Sequence, residues 1–216
     1  MVPKLILAFD MDDTLVDTYG FIYAFMLQFY TDRGMETELN YIMEMHKKGH
    51  SSLSWRKDES DDVFYQIIKK HTYMVDAKPT MLLSSDFISL CERLMEQYKD
   101  DIKFVICTHR GFTKYGKPLT EEWLEDNKVD HIFKTVHALD RKEHANKVAF
   151  LKEQYPGSEI RLVDDNPMHD GETVHPYMPE LVIYDKITAL PGYSKQRKWT
   201  GNIPFLNMCY QILKDK

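Results

Sequence analysis

A chain of 216 residues can hold one sizeable core with at most a subdomain, and 43% hydrophobic residues suffices to fill it, which excludes intrinsic disorder. Apolar runs such as Leu5 to Phe9 are far too short for a membrane span or the heart of an export signal, and no lipidation motif is visible, so the chain reads as soluble and cytoplasmic, with no membrane partner. The 28 Lys and Arg against 34 Asp and Glu leave a formal charge of −6, which excludes a general nucleic-acid coat, while Cys91, Cys107 and Cys209 lack the CxxC spacing of a structural zinc site and read as buried free thiols.

Lys4–Phe9 (KLILAF) is apolar on both faces, as a strand covered from two sides must be, and it stops at Asp10, Asp12 and Asp13. Residues 17 to 80 show helical spacing three times, at Phe21/Phe25/Phe29, Tyr41/Ile42/Met45 and Val63/Phe64/Ile67/Ile68, with Gly49, Ser51-Ser52 and Pro79 as punctuation and no strand between. Asp86–Tyr98 predicts a helix with Phe87, Leu90, Leu94 and Met95 on one face and Ser85 as N-cap. Lys103–Cys107 (KFVIC) is a second buried-strand run and stops at Thr108; Ile132–Thr135 is a weaker strand. Residues 141–155 predict a helix carrying Lys147, Val148 and Leu151 and ending before Pro156-Gly157. Arg161–Val163 is the next strand and stops at Asp164 and Asp165; Leu181–Tyr184 follows as another. Pro204–Leu213 closes the series as a helix with Phe205, Met208, Cys209 and Ile212 facing inward. Strands alternating with helices predict an α/β fold, a doubly wound (Rossmann-like) parallel sheet, with residues 1–16 and 81–216 as the core and 17–80 as a helical cap inserted after the first strand.

In open α/β sheets ligands bind beyond the carboxyl ends of the strands. If the strands are parallel, Asp10, Asp12, Asp13 and Thr14, then Thr108, His109 and Arg110, then Asp164 and Asp165, all meet at one edge. A single Asp after a strand is ordinarily a turn or helix-cap residue. Five aspartates at one edge repel each other and call for a cation, and an all-oxygen set suits Mg²⁺, completed by a substrate phosphate.

FDMDDTLVDT at residues 9–18 resembles the first motif of haloacid dehalogenase-superfamily phosphatases, DxDxT after an apolar strand. FVICT ending at Thr108 resembles their second motif, Lys147 before VAFL fits the third, and VDDNP with Asp164 and Asp165 the fourth, in the family's order. One departure is Asp13, where Gly is commoner. The resemblance implies a Mg²⁺-dependent phosphomonoesterase: Asp10 as nucleophile forming an aspartyl-phosphate, and Asp12 as acid and then base, with surroundings that raise its pKa. It further implies Thr108, His109 and Lys147 on the phosphoryl oxygens, and Asp10, Asp164 and the Asp12 carbonyl on Mg²⁺, with Asp165 and Thr14 in support. Lys142 competes with Lys147 for the cationic role; Lys147 is favoured because its helix carries it close to the run into Asp164.

The implied substrate is a small phosphorylated molecule. Deoxyribonucleotidases in this superfamily carry an ICTSP-like second motif, similar to ICTHR at 106–110, and a Gly- and Pro-containing loop like that over residues 164–184. This points to a nucleoside monophosphate, with Phe21 and Phe25 as base-contacting candidates and Arg110 as another substrate contact. The runner-up is a 3′-phosphatase acting on nucleic-acid ends: RKEHANK (141–147) resembles the third motif of phage-type polynucleotide kinase-phosphatases, and KQRKW (195–199) is a basic run with an aromatic neighbour. Trp55-Arg56-Lys57 is a further ligand-reaching candidate, and a catalytically silent nucleotide- or protein-binding module is the rival from another class. Nothing in the chain signals an oligomeric state.

Overall fold

Every residue of the run Leu5–Phe9 is buried, and in the computed structural model it forms β1, hydrogen-bonded in parallel on both sides. Residues 2–49, 67, 70, 73–169, 173–184 and 190–214 are described. The other strands are β2 (Ile102–Thr108), β3 (Val136–Ala138), β4 (Glu159–Asp164), β5 (Leu181–Ile183) and β6 (Arg197–Lys198). All neighbours run parallel, in the order β3-β2-β1-β4-β5-β6. The described helices are α1 (Thr18–Asp32), α2 (Glu36–Lys47), α3 (Tyr73–Asp76), α4 (Ser85–Tyr98), α5 (Gly116–Asp126), α6 (Lys147–Gln154) and α7 (Asn202–Lys214). This is the doubly wound α/β class expected from the sequence.

The two faces of β1 feed two cores, because side chains alternate along a strand. Leu5, Leu7 and Phe9 pack with Phe87, Leu90 and Leu94 of α4, Trp123 of α5 and Phe205 of α7. Ile6 and Ala8 pack with Val148 and Leu151 of α6 on the opposite face. Phe9 sits in an aromatic nest, its ring centroid 5.5 Å from Phe87 and 5.6 Å from Phe133, both edge-on. Cys91, Cys107 and Cys209 are free and buried. No described helix is long and apolar enough to cross a membrane.

A third apolar cluster lies outside the sheet: Tyr19, Ile22, Met26 and Tyr30 of α1 with Ile42 of α2, Ile67, and Tyr73 and Met74 of α3. The chain leaves for these helices and returns from them side by side. Val16 and Pro79 form an antiparallel bridge, Asp17 N–H donates to the Lys78 carbonyl at 2.7 Å, and Thr80 N–H donates to the Leu15 carbonyl at 2.8 Å. Val63, Phe64 and Ile68 of the third periodic run, Trp55-Arg56-Lys57 and residues 170–172 lie outside the described residues.

Several expectations need correction. The stripe Phe21/Phe25/Phe29 is not the buried face of α1, which is Thr18, Tyr19, Ile22, Met26 and Tyr30; Phe25 is 37% exposed. A helix apolar almost all round gives periodicity no face to choose. The weak strand at Ile132–Thr135 lies at Val136–Ala138 instead, because Ile132 and Phe133 close a turn onto the Val129 carbonyl. The helix expected over 141–155 begins only at Lys147, capped by Asn146, whose side chain accepts from Ala149 N–H at 3.1 Å. Arg197-Lys198 of the basic run is an edge strand on β5, and Trp199 packs half-buried against the core, its ring 4.8 Å from that of Phe205.

His137 on β3 has its Nε2 2.7 Å from the Tyr155 hydroxyl. Partial burial, with help from Lys103 and Lys117, holds its pKa below the ordinary histidine value. The unfolded chain therefore takes up this proton first, so the stability that neutral His137 contributes above about pH 6.5 is lost as pH falls through its folded-state value. Urea midpoints at pH 7.5 and 5.5 should diverge less in His137→Gln than in the parent; an equal divergence would remove His137 from the account.

Candidate active site

The parallel register sets Phe9 opposite Ile106 on one side and Val163 on the other, so the residues just beyond meet at one level. Asp10 N–H donates to the Val163 carbonyl at 2.9 Å, locking the first residue after β1 beside β4. β1 leads to β2 and β3 on one side and to β4 on the other, so the crevice at this switch point opens between Asp10 and Asp164.

Lys147 is fully buried at the first turn of α6, and its Nζ lies 2.8 Å from both Asp10 Oδ1 and Asp164 Oδ2. Lys142, by contrast, is exposed, in a turn where its N–H donates to Asp140 Oδ1 at 2.8 Å. Burial works against the Lys147 charge, but Asp10 and Asp164 more than offset it, and its pKa is raised. Asp164 Oδ1 also accepts from Asn166 N–H at 2.8 Å. Burial, aided by the charge of Asp10, nevertheless pushes Asp164 up to about 7 against the pull of Lys147. Asp165 is raised by burial and by Asp164, Asp13 and Asp10.

Asp10, Asp164 and Asp165 each present an oxygen within 4.8 Å of the others. Asp10 and Asp164 share one ammonium, Asp165 adds a third carboxylate close to both, and the Thr108 hydroxyl at the end of β2 is buried with no hydrogen-bond partner. A surplus of hard anionic oxygens and an unsatisfied hydroxyl fit a divalent cation completed by a phosphate. The Asp12 carboxylate is not in this group.

Asp12 instead faces Arg110, whose Nε donates to Oδ2 at 3.0 Å and Nη2 to Oδ1 at 2.7 Å, while the Thr18 hydroxyl donates to Oδ1 at 2.6 Å. Burial alone would raise the Asp12 pKa; the Arg110 guanidinium and the Thr18 hydroxyl win, and the carboxyl lies below its usual range. This corrects the expectation of a raised value. It also relocates Arg110: fully buried, its guanidinium contacts Asp12 rather than standing open to a substrate. Gly116 makes the arrangement sterically possible, since a Cβ there would lie 1.9 Å from the Arg110 carbonyl oxygen.

The connecting loop explains the departure at Asp13. Its φ is 58°, the left-handed region where Gly is free and Asp is among the better-tolerated alternatives, and its Oδ1 accepts from Tyr19 N–H at 2.7 Å. Thr14 is buried and its Oγ1 accepts from Asp165 N–H at 3.2 Å, tying the β1 loop to the β4 loop. His109 Nε2 lies 2.8 Å from the His144 carbonyl; since a carbonyl only accepts, this nitrogen carries the proton. Its ring sits 5.0 Å from that of His169. Phe21 is half-buried between the helical cluster and the sheet core, and Phe25 lies 6.5 Å from Phe29.

The pairing of Asp12 with Thr18 and Arg110 escaped sequence reading: Thr18 stood only as the last residue of the first motif, and the Arg110 fork joins positions far apart in the chain.

No protein-family model matches the chain, and no curated protein matches it in sequence. Solved structures do. A predicted phosphatase from Clostridium acetobutylicum superposes with a TM-score of 0.54 at 11% identity, over 97% of this chain and 99% of its own. A haloacid-dehalogenase-superfamily hydrolase of subfamily IA from Geobacter sulfurreducens gives 0.51 at 14% identity, over 95% and 96%. A haloacid-dehalogenase-like family hydrolase from Xanthomonas campestris gives 0.50 at 9% identity, over 100% and 98%. At such identities the likeness is one of architecture: this chain has the fold of haloacid-dehalogenase-like hydrolases.

Proposed function

We propose that the protein is a Mg²⁺-dependent phosphomonoesterase working through a phosphorylated Asp10, with (deoxy)nucleoside monophosphates as its substrate class. The observation that carries this reading is the clustering of Asp10, Asp164 and Asp165 at the sheet's switch point, with the buried Lys147 ammonium between Asp10 and Asp164. A free Asp10 oxygen attacks phosphorus, forming an O–P bond as the ester P–O bond breaks. Asp12 is held ionised by Arg110 and Thr18, so it must take up a proton as the phosphorylated substrate binds; it then delivers that proton to the departing oxygen and takes one back from the water that releases phosphate and regenerates Asp10. Lys147 and the Thr108 hydroxyl stabilise the charge on the phosphoryl oxygens, with His109 beside them. Asp10, Asp164 and Asp165, with the Asp12 carbonyl, would hold Mg²⁺, which when bound neutralises charge and orients the phosphoryl group. Residues 17–80 act as the cap that excludes water.

Nucleotides are favoured over nucleic-acid ends because Trp199, the aromatic partner of the basic run, has ring contacts with Phe205 and Phe87 and is partly buried against the core. The test is phosphate release from a panel of deoxyribonucleotides, ribonucleotides, sugar phosphates, p-nitrophenyl phosphate and a 3′-phosphorylated oligonucleotide. Release is expected to be fastest from the deoxynucleoside monophosphates, to fall to background in EDTA and to return with Mg²⁺. Preference for the oligonucleotide with steep salt dependence would favour the end-processing reading, and no metal-dependent release from any member would favour a silent binding module.

A further inference from the structure

Asp12 and Arg110 are unequally placed. The guanidinium is wholly inside the protein, whereas the Asp12 side chain keeps 30% of its surface exposed. The fork of Nε and Nη2 meets both carboxylate oxygens from the interior, and Thr18 adds a second donor to Oδ1, leaving acceptor capacity on Oδ2 for the crevice. The remaining nitrogen, Nη1, lies 3.3 Å from both the Met74 carbonyl and the Thr120 hydroxyl. Thr120 spends its own proton on the Gly116 carbonyl at 2.7 Å, so it offers Arg110 only lone pairs. Each side of the guanidinium is thus fixed by a different element, and a planar fork so held can present a carboxylate in one orientation only.

We propose that Arg110 is a positioning residue for Asp12: it never meets the substrate, and it sets the direction in which the Asp12 carboxylate addresses the departing oxygen and the incoming water. The proposal rests on the acid–base reading of Asp12. It treats Arg110 as part of the reaction geometry rather than as a counter-charge that merely keeps Asp12 soluble in the interior.

The test measures kcat and KM for thymidine 5′-monophosphate in Mg²⁺, alongside thermal melting, for Arg110→Ala, Arg110→Lys, Asp12→Asn and the Asp12→Asn/Arg110→Ala pair. Arg110→Ala is expected to lower kcat about 100-fold with KM within about threefold. Arg110→Lys, which keeps the charge but not the fork, should lose nearly as much. The double variant should be no worse than Asp12→Asn alone by more than about threefold, because both changes remove one unit. Added methylguanidinium should restore about tenfold to Arg110→Ala and nothing to Asp12→Asn.

A kcat in Arg110→Lys within about threefold of the parent would overturn the proposal, since charge alone would then suffice. So would losses that add in the double variant, or a folded Arg110→Ala that methylguanidinium does not rescue. If Arg110→Ala fails to fold, Arg110→Lys and the double-variant arm built on it decide the matter. Failure of the underlying reading registers separately, as full activity in Asp10→Asn or Asp12→Asn, and the proposal falls with it.

Discussion

Asp10→Asn is expected to lower phosphate release by about four orders of magnitude or more, while the melting temperature stays close to the parent's. An amide has nearly the shape of a carboxylate but no charge to attack phosphorus, so chemistry should be lost and packing kept. Two opposing effects keep the fold. Lys147 loses one partner at 2.8 Å but retains Asp164 at 2.8 Å, and the crowd of acidic groups loses a member. Isothermal titration with thymidine 5′-monophosphate and Mg²⁺ should still detect binding. A variant that turns over at the parental rate would mean that some other group attacks phosphorus.

Lys147→Met should damage both stability and turnover, and the two can be read apart. Without the ammonium, Asp10, Asp164 and Asp165 face each other in a buried site with no cation. Breaking such a pair from one side costs about 3–5 kcal/mol. Urea denaturation in EDTA should show a loss of that order, and Mg²⁺ should recover part of it by binding the folded state alone. The rate should fall by about 10²–10³ even when metal is saturating, since charge on the phosphoryl oxygens loses a donor. Lys142→Met is the control and should change neither quantity, its side chain lying on the surface. An EDTA midpoint equal to the parent's would show that Lys147 does not balance the acidic cluster.

Much of this site is legible in the sequence because strand ends are legible. KLILAF and KFVIC are short runs apolar on both faces and EIRLV ends in one, the pattern of buried strands, and the first polar residue after each marks the same edge. What escaped has identifiable physical causes. Helix α5 carries Pro118 near its start and buries only Gly116, Thr120, Trp123 and Leu124, a pattern too small and too polar to read as a stripe, although the Trp123–Leu124 pair after Leu119 was an available signal. The start of α6 was set by the Asn146 cap, which the longer run of charged residues before it concealed. The basic run at 195–199 looked like a ligand surface because nothing local reveals that Trp199 turns inward against Phe87 and Phe205. The Asp12 environment was misjudged for a related reason: burial was foreseeable, but the guanidinium that outweighs it comes from a residue that sequence alone placed among substrate contacts.

The neighbouring exit and return at Val16 and Pro79 carry an evolutionary consequence. Two backbone segments already joined by a bridge and hydrogen bonds can accept a longer, shorter or foreign excursion between them at little entropic cost, since the cost of closing a loop grows only slowly with its length. An exchange of the helices between these two points would leave Asp10, Lys147 and Asp164 in their places, so the excursion and the acidic cluster can vary independently.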